Sequence, residues 1–135
     1  MQATLGYTIF YVPDVAATIA FYEAAFGLAQ RFVTLEGDYG EVETGATTLS
    51  FVRHDLAAQN LDAAGGFTPL DPKQPPVGAT ITLVTDDVAA MVSQASGAGA
   101  TIYTEPTVKP WGQTVAYVRD PNGILIEVAT PVQPG

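Results

Sequence analysis

The stretch 110–127, PWGQTVAYVRDPNGILIE, decides how this chain folds. Residues 113–119 are rich in β-branched and aromatic side chains, 120–123 form an Asp-Pro-Asn-Gly turn cluster, and 124–128 are again strand-forming. Pro121 has a φ suited to a turn, and Gly123 can adopt a positive φ without a Cβ clash. We therefore predict a β-hairpin, in whose second strand one carboxylate, Glu127, alternates with apolar side chains.

Composition limits the classes of protein to which this chain can belong. Of its 135 residues 47% are hydrophobic and 14% charged, which argues against disorder and for a core. No apolar run is long enough to cross a bilayer and no basic n-region precedes one, so we expect a cytoplasmic protein with no membrane partner. The absence of cysteine excludes disulfides and thiolate chemistry. A net charge of −9 disfavours nucleic acid as a partner and would attract a cationic ligand.

The order of elements that ends in the hairpin occurs twice. The first copy reads as a strand (5–12), a helix (15–26) and three strands (29–36, 39–44 and 47–54). The second reads as a strand (79–85), a helix from 86–87 to about 98, a strand (101–108) and the hairpin. The tetrapeptide Asp-Val-Ala-Ala at 14–17 returns 73 residues later at 87–90, at the same strand-to-helix junction. A match in the same place of the same element order indicates an internal repeat.

These patterns predict one domain, residues 1–135, with an α+β fold. Two tandem β-α-β-β-β modules, about 4–54 and 78–131, would form a curved mixed sheet with a concave cavity. The Gly- and Pro-rich residues 55–77 are predicted to be a linker that begins with a short helix. A loop of this length is either a connector between the modules or a flap over a site.

Strand alternation and the repeat together select a candidate cavity floor. If the apolar residues of the first and last strand of each module cover the helices, then Tyr7, Ser50, Thr80 and Glu127 lie on the opposite side. A glutamate in a strand is also commonly a solvated surface residue, so this assignment depends on the fold.

Two groups of residues carry a resemblance to a known superfamily. The first is the set 14–16, 21–22 and 26–28 (DVA, FY, FGL), and the second is 119–123 with 126–127 (RDPNG, IE). In a duplicated β-α-β-β-β frame they resemble the signatures of the vicinal oxygen chelate superfamily. That superfamily includes glyoxalases, extradiol dioxygenases, fosfomycin-resistance enzymes and bleomycin-resistance proteins, so the resemblance implies a fold more than an activity.

The resemblance also implies where a metal would be bound. In the metal-dependent relatives the four floor positions carry His, Glu or Gln ligands, whereas here only Glu127 is of such a type. One carboxylate with neutral hydroxyls is a weak set of ligands for a divalent ion. The lone histidine, His54, continues the strand of Ser50 but is not at a ligand position. We therefore expect no metal and no other cofactor.

The bleomycin-resistance proteins of the superfamily match better. They lack the metal, dimerise and hold a large cationic drug between subunits, and their hairpin resembles residues 110–112 followed by 119–121 here. By this resemblance we expect a homodimer that sequesters a cationic aromatic molecule such as a glycopeptide-type antibiotic, and hence a role in antibiotic resistance. Glu43 could add negative charge to such a site. The candidate ligand-binding residues are Tyr7, Tyr11, Tyr39, Ser50, Thr80, Trp111 and Glu127.

Other interpretations remain open at this point. The chain could be a lyase, isomerase or dioxygenase of the same superfamily that uses Glu127 as a general base or in an atypical metal site. It could also be an interaction domain with no ligand, and Trp111 could fill the end of the sheet instead of contacting a ligand. We favour a binding protein over an enzyme because the usual metal ligands are missing.

Overall fold

The computed structural model describes residues 1–132 and contains two compact units. Unit 1 comprises Met1–Glu23 and Gly27–Leu70, and unit 2 comprises Ala24–Phe26 and the chain from Asp71 onwards. In chain order the elements are β1 (Tyr7–Val12), α1 (Val15–Phe26), β2 (Gln30–Val33), β3 (Tyr39–Val42), β4 (Thr48–Arg53), α2 (His54–Leu61), a 3-10 turn (Asp62–Ala64), β5 (Ile81–Val84), α3 (Val88–Gly97), β6 (Thr101–Val108), β7 (Thr114–Arg119) and β8 (Leu125–Ala129).

Each unit contains one four-stranded mixed sheet of the same topology. The strand orders are β1-β4-β3-β2 and β5-β8-β7-β6, in which the first pair of each is parallel and the others antiparallel. The predicted α+β class with two β-α-β-β-β modules is thereby confirmed. The expected short helix at the start of the 55–77 segment is present as α2. None of the helices between residues 1 and 132 has both the length and the apolar character that a membrane span requires.

The repeated tetrapeptide builds the same helix start in both modules. The Asp14 carboxylate accepts a hydrogen bond from the Ala17 amide at 3.0 Å, and Asp87 accepts one from the Ala90 amide at 3.0 Å. Each aspartate thus satisfies one amide that has no partner within its helix. The sequence repeat is therefore a repeat of N-caps.

The hairpin forms where the sequence predicts it. In the turn, the Gly123 amide donates to the Asp120 carbonyl at 3.0 Å, and the Asp120 carboxylate accepts from the amides of Asn122 and Ile124 at 2.9 and 2.8 Å. Gly123 has a φ of 97°, which a residue with a Cβ adopts only at a cost. This turn sets the register of β7 against β8, with Arg119 opposite Leu125.

Helix α1 packs closely on the sheet of unit 1 at Gly40. A Cβ on Gly40 would lie 2.6 Å from Ile19 Cδ1 and 2.9 Å from Val15 Cγ1, so a larger residue there would force these side chains of the helix to move. The rings of Tyr22 and Phe51, both fully buried, lie beside this contact with centroids 5.1 Å apart. The aromatic core of unit 1 thus depends on a residue without a side chain.

We expect Gly40→Ala to lower the free energy of unfolding by about 1 kcal/mol, because overpacking outweighs the entropic gain of replacing glycine. Gly97→Ala is the matched control. Gly97 is exposed in α3, and a methyl group added there would have no heavy atom within 4 Å, so we expect this variant to gain about 0.5 kcal/mol. Urea denaturation followed by circular dichroism measures both changes. Equal effects of the two substitutions would contradict the close contact between α1 and Gly40.

Candidate ligand-binding site

Glu127 lies on the face of the unit 2 sheet that is opposite its buried side. Its neighbours in β8, Ile126 and Val128, are fully buried on the other face. Thr82 Oγ1 donates to Glu127 Oε1 at 2.8 Å, and the Tyr117 hydroxyl donates to Oε2 at 2.7 Å. Both donors are neutral, and within residues 1–132 no basic side chain forms an ion pair with Glu127. The carboxylate is therefore held in place by neutral donors, without a basic partner among the described residues.

A cavity of about 470 Å³ lies next to this carboxylate. Tyr117 joins the two, because its ring lines the cavity while its hydroxyl binds Glu127, which is not itself a lining residue. An irregularity in β6 next to Thr104 lets two consecutive residues, Tyr103 and Thr104, both line the cavity. The full lining is Val77, Gly78, Ala79, Thr80, Tyr103, Thr104, Tyr117 and Leu125.

The cavity combines aromatic and aliphatic walls with a few hydroxyls, which is the usual composition of a small-molecule site. Tyr103 is 54% exposed, so a ligand can reach its ring. Tyrosine rings attract cations through their faces, and Glu127 adds a full negative charge at the edge. The arrangement is suited to a planar or aromatic cation.

On the equivalent face of unit 1 the carboxylates have a cationic partner. Glu41 lies opposite Ser50 there and binds Arg31 at 2.9 Å, while Arg31 also holds Glu43 at 2.8 Å. The hydrogen bond from Arg31 lowers the pKa of Glu43 and the two glutamates raise the pKa of Arg31. Glu43, expected to supply charge to a ligand, is therefore ion-paired with Arg31, which it shares with Glu41.

The remaining predicted residues of unit 1 differ in accessibility. Tyr7 is 58% exposed, whereas Tyr11 packs edge-to-face on Phe67 with ring centroids 4.9 Å apart. The Tyr39 hydroxyl donates to Glu41 Oε2 at 2.6 Å. Ser50 is fully buried, and its Oγ has no hydrogen-bond partner among the residues described, although it lies close enough to Tyr39 to oppose the rise of that pKa. Of these residues, Tyr7 is thus the most accessible to a ligand.

In unit 2 the structure separates the predicted residues. Thr80 lines the cavity and donates from Oγ1 to the Leu125 carbonyl at 3.1 Å. Trp111 lies in the turn between β6 and β7, outside the cavity lining, with Nε1 donating to Gln113 Oε1 at 2.8 Å. It is 61% exposed, so the alternative that it fills the end of the sheet is wrong. Its role as a ligand contact stays a prediction.

Sequence reasoning missed Thr82, Tyr103 and Tyr117. The hairpin turn could have identified Tyr117, because the pairing of Arg119 with Leu125 places Tyr117 opposite Glu127. The repeat offset could have identified Thr82, which lies opposite Glu127 as Ile9 lies opposite Ser50. Tyr103 has no such signal, because its position depends on an irregularity in β6 that alternation does not show.

The residues at the predicted floor positions do not fit a divalent metal. Ser50 is fully buried, and both carboxylate oxygens of Glu127 already accept hydroxyl hydrogen bonds. Nor do three or more histidine, aspartate or glutamate groups within residues 1–132 come together as a possible metal site. These side chains are therefore better suited to an organic ligand than to a divalent metal ion.

Two tyrosines on these faces have raised pKa values for different main reasons. For Tyr117 the largest cause is its hydrogen bond to Glu127, followed by burial. For Tyr39 the largest cause is burial, followed by the hydrogen bond to Glu41. A tyrosine whose folded-state pKa exceeds its unfolded value stabilises the fold below the unfolded pKa of about 10, and that stability is lost as the pH rises further. We therefore expect unfolding to become easier above about pH 10.

Substitution of the two glutamates separates these causes. We expect Glu127→Gln to lower the pKa of Tyr117 more than Glu41→Gln lowers that of Tyr39, because burial remains in both variants. Absorbance titration of tyrosinate near 295 nm measures the change. Indistinguishable titration curves for the two variants would contradict the assignment of the Tyr117 shift to Glu127.

The comparisons with known proteins agree with this architecture. No curated protein matches the sequence. A glyoxalase/bleomycin resistance protein/dioxygenase family enzyme from Burkholderia phytofirmans PsJN has a similar structure, with a TM-score of 0.76, 21% identity, and coverage of 97% of this chain and 100% of that one. A glyoxalase-related enzyme from Fulvimarina pelagi gives a TM-score of 0.78 at 18% identity, with 96% and 89% covered. A hypothetical protein from S. aureus gives 0.76 at 19% identity, with 97% and 95% covered.

These structural likenesses, all below 25% identity, concern the fold alone. The family itself follows from the sequence, because a family model matches residues 4–128, which is nearly the whole chain. This protein belongs to the Glyoxalase/Bleomycin resistance protein/Dioxygenase superfamily.

Proposed function

We propose that this chain binds and sequesters a cationic aromatic small molecule, without a metal, in the cavity beside Glu127. One observation carries the proposal: next to a cavity with two tyrosine rings lies a carboxylate that, among residues 1–132, is held by neutral hydroxyls only. A negative charge without a cationic partner in such a site favours a ligand that brings the missing positive charge. The net charge of −9 attracts the same class of ligand over a longer range.

Cavity size and chemistry support a drug-sized organic ligand. A volume of about 470 Å³ falls in the range that such ligands occupy. Tyr103 and Tyr117 offer two ring surfaces for stacking or cation–π contact. A glycopeptide-type antibiotic is larger than this cavity and would place only a cationic aromatic part of its structure there. Sequestering such a molecule would confer resistance.

The experiment is a fluorescence titration with ethidium, a planar aromatic cation, and with anilinonaphthalene sulfonate, an aromatic anion, as the control probe. We expect saturable one-site binding of ethidium that weakens with added salt, and weak or no binding of the anion. Binding of both probes with equal affinity would refute selection by charge, and failure of ethidium to bind would refute the proposed ligand class.

Tyr103→Ala and Trp111→Ala locate the bound probe. If ethidium occupies the cavity, the tyrosine variant should lose about 1–2 kcal/mol of binding free energy, the scale of a cation–π contact, while the exposed Trp111 contributes less. A larger loss in the tryptophan variant would instead place the ligand at the β6–β7 turn.

We also propose that the protein is a homodimer. Strand β1 is an edge of its sheet, and three apolar side chains in or just before it are exposed: Leu5, Tyr7 and Ile9. An edge strand with exposed apolar residues is commonly covered by another chain. Sedimentation velocity at micromolar concentration should show a dimer, and Ile9→Lys should shift the mass towards monomer. A monomeric wild-type protein would contradict this proposal.

A further inference from the structure

Arg119 is buried in unit 2. Within residues 1–132 all the acceptors of its guanidinium hydrogen bonds are backbone carbonyl oxygens. The residue is 9% exposed and lies at the end of β7. Its nitrogens donate to the carbonyls of Gln74, Pro72 and Asp71 at 2.7, 3.1 and 3.3 Å, and twice to Gly123 at 2.9 and 3.2 Å. The planar guanidinium thus connects the hairpin turn to a segment about 45 residues earlier in the chain.

The segment that Arg119 holds, residues 71–80, ends in four residues of the cavity wall, 77–80. We call it the strap. It is fixed at its start by Arg119 and at its end by Thr80, whose hydroxyl donates to the Leu125 carbonyl. Between these points are two consecutive prolines, 75 and 76, which restrict the backbone, and then the lining residues 77–79.

The strap also fits closely against the hairpin turn. A Cβ on Gly123 would lie 2.9 Å from both Arg119 Nη2 and the Pro72 nitrogen, and 3.0 Å from the Pro72 Cα. The glycine of the turn therefore serves two purposes, a positive φ and a close approach of the strap backbone. The turn 120–123 and Arg119, the residue before it, therefore both hold the strap.

We propose that Arg119 is a positioning residue that sets the wall of the ligand cavity by fixing the strap. The carbonyls that it binds are in the strap and the turn, so loss of the guanidinium frees the strap without removing any lining side chain. The part of this proposal that concerns ligand affinity rests on the proposed function, whereas the part that concerns the strap does not.

Hydrogen–deuterium exchange of the full chain tests the strap directly. In Arg119→Lys we expect peptides covering 71–80 to exchange faster on the order of tenfold, the factor for losing a hydrogen bond to a charged group. Peptides of β7 and β8 in the same sample should change less. The control is Arg53→Lys, which changes a half-buried arginine of unit 1 and should leave the strap unchanged. Equal acceleration in the strap and in β7 and β8 would show that Arg119 only stabilises unit 2 and would overturn the proposal.

Two further measurements test the role of Arg119: strap exchange in Gly123→Ala and ethidium binding by Arg119→Lys. Gly123→Ala, whose methyl would push against Pro72, should accelerate strap exchange even if the lysine variant does not fold. Ethidium titration of folded Arg119→Lys should show weaker binding than wild type. An unchanged affinity, with wild type binding ethidium, would overturn the link to the ligand. If wild type does not bind ethidium, the proposed function has failed and the exchange result alone decides the role of Arg119 in the strap.

Discussion

Glu127→Gln is expected to bind ethidium roughly thirtyfold more weakly than wild type, a loss of about 2 kcal/mol. Two unit charges about 8 Å apart attract each other by about 2 kcal/mol at an effective dielectric constant of about 20. Glutamine keeps the size of the side chain and can still accept from Thr82, so the loss reports the charge more than the shape. Fluorescence titration of both proteins at low salt measures the difference.

Glu41→Gln is the matched control, because it removes the same charge from a carboxylate that is ion-paired with Arg31 and does not line the proposed cavity. We expect its affinity for ethidium to stay within about twofold of wild type. The salt dependence gives a second criterion, since screening should weaken binding of wild type more than that of Glu127→Gln. Equal losses in the two glutamine variants would mean that only the net charge of the protein matters, and the proposed site would then be wrong.

The parts of the fold that depend on local chemistry could be predicted from the sequence. The repeated Asp-Val-Ala-Ala predicts both helix starts, because an aspartate at an N-cap acts within one turn. The turn 120–123 predicts the hairpin for the same reason. The alternation of β8 also placed Glu127 correctly on the face opposite Ile126, because the side chains of a strand alternate with a period of two.

The site required information that alternation does not contain. Alternation fixes the face of a residue but not its neighbour across the sheet. The sequence therefore selects Thr80, whereas the residue that pairs with Glu127 and binds it is Thr82. An irregularity in β6 presents Tyr103 and Thr104 together, and one in β2 lies at Arg31. Such an irregularity follows from pairing between strands, which a single strand's sequence does not specify. The ion pair between Glu43 and Arg31 likewise depends on residues 12 apart in the chain.

Arg119→Met is expected to lower the free energy of unfolding by about 2–4 kcal/mol, a larger effect than that of any other substitution proposed for this chain. Methionine has a similar length but no donor, so the carbonyls of Asp71, Pro72, Gln74 and Gly123 lose a partner at once. Of these acceptors, the Gly123 carbonyl belongs to a buried residue, and without a partner it costs about 1–3 kcal/mol. Asp71, Pro72 and Gln74 are exposed, and the Asp71 carbonyl keeps the Gln74 amide as a donor, so the loss of Arg119 costs less at these three carbonyls. Urea denaturation followed by circular dichroism measures the loss.

Arg53→Met shows why burial, and not the charge itself, sets this magnitude. Arg53 also forms several bonds, to the Asp55 carboxylate at 2.7 Å and to the Glu36 carbonyl at 2.9 Å, but its side chain is 35% exposed. Water can replace these partners, so we expect the free energy of unfolding to fall far less than in Arg119→Met. If the two methionine variants were equally stable, the carbonyls around Arg119 would have to be hydrated in its absence. The buried attachment of the strap would then contribute nothing to the stability of unit 2.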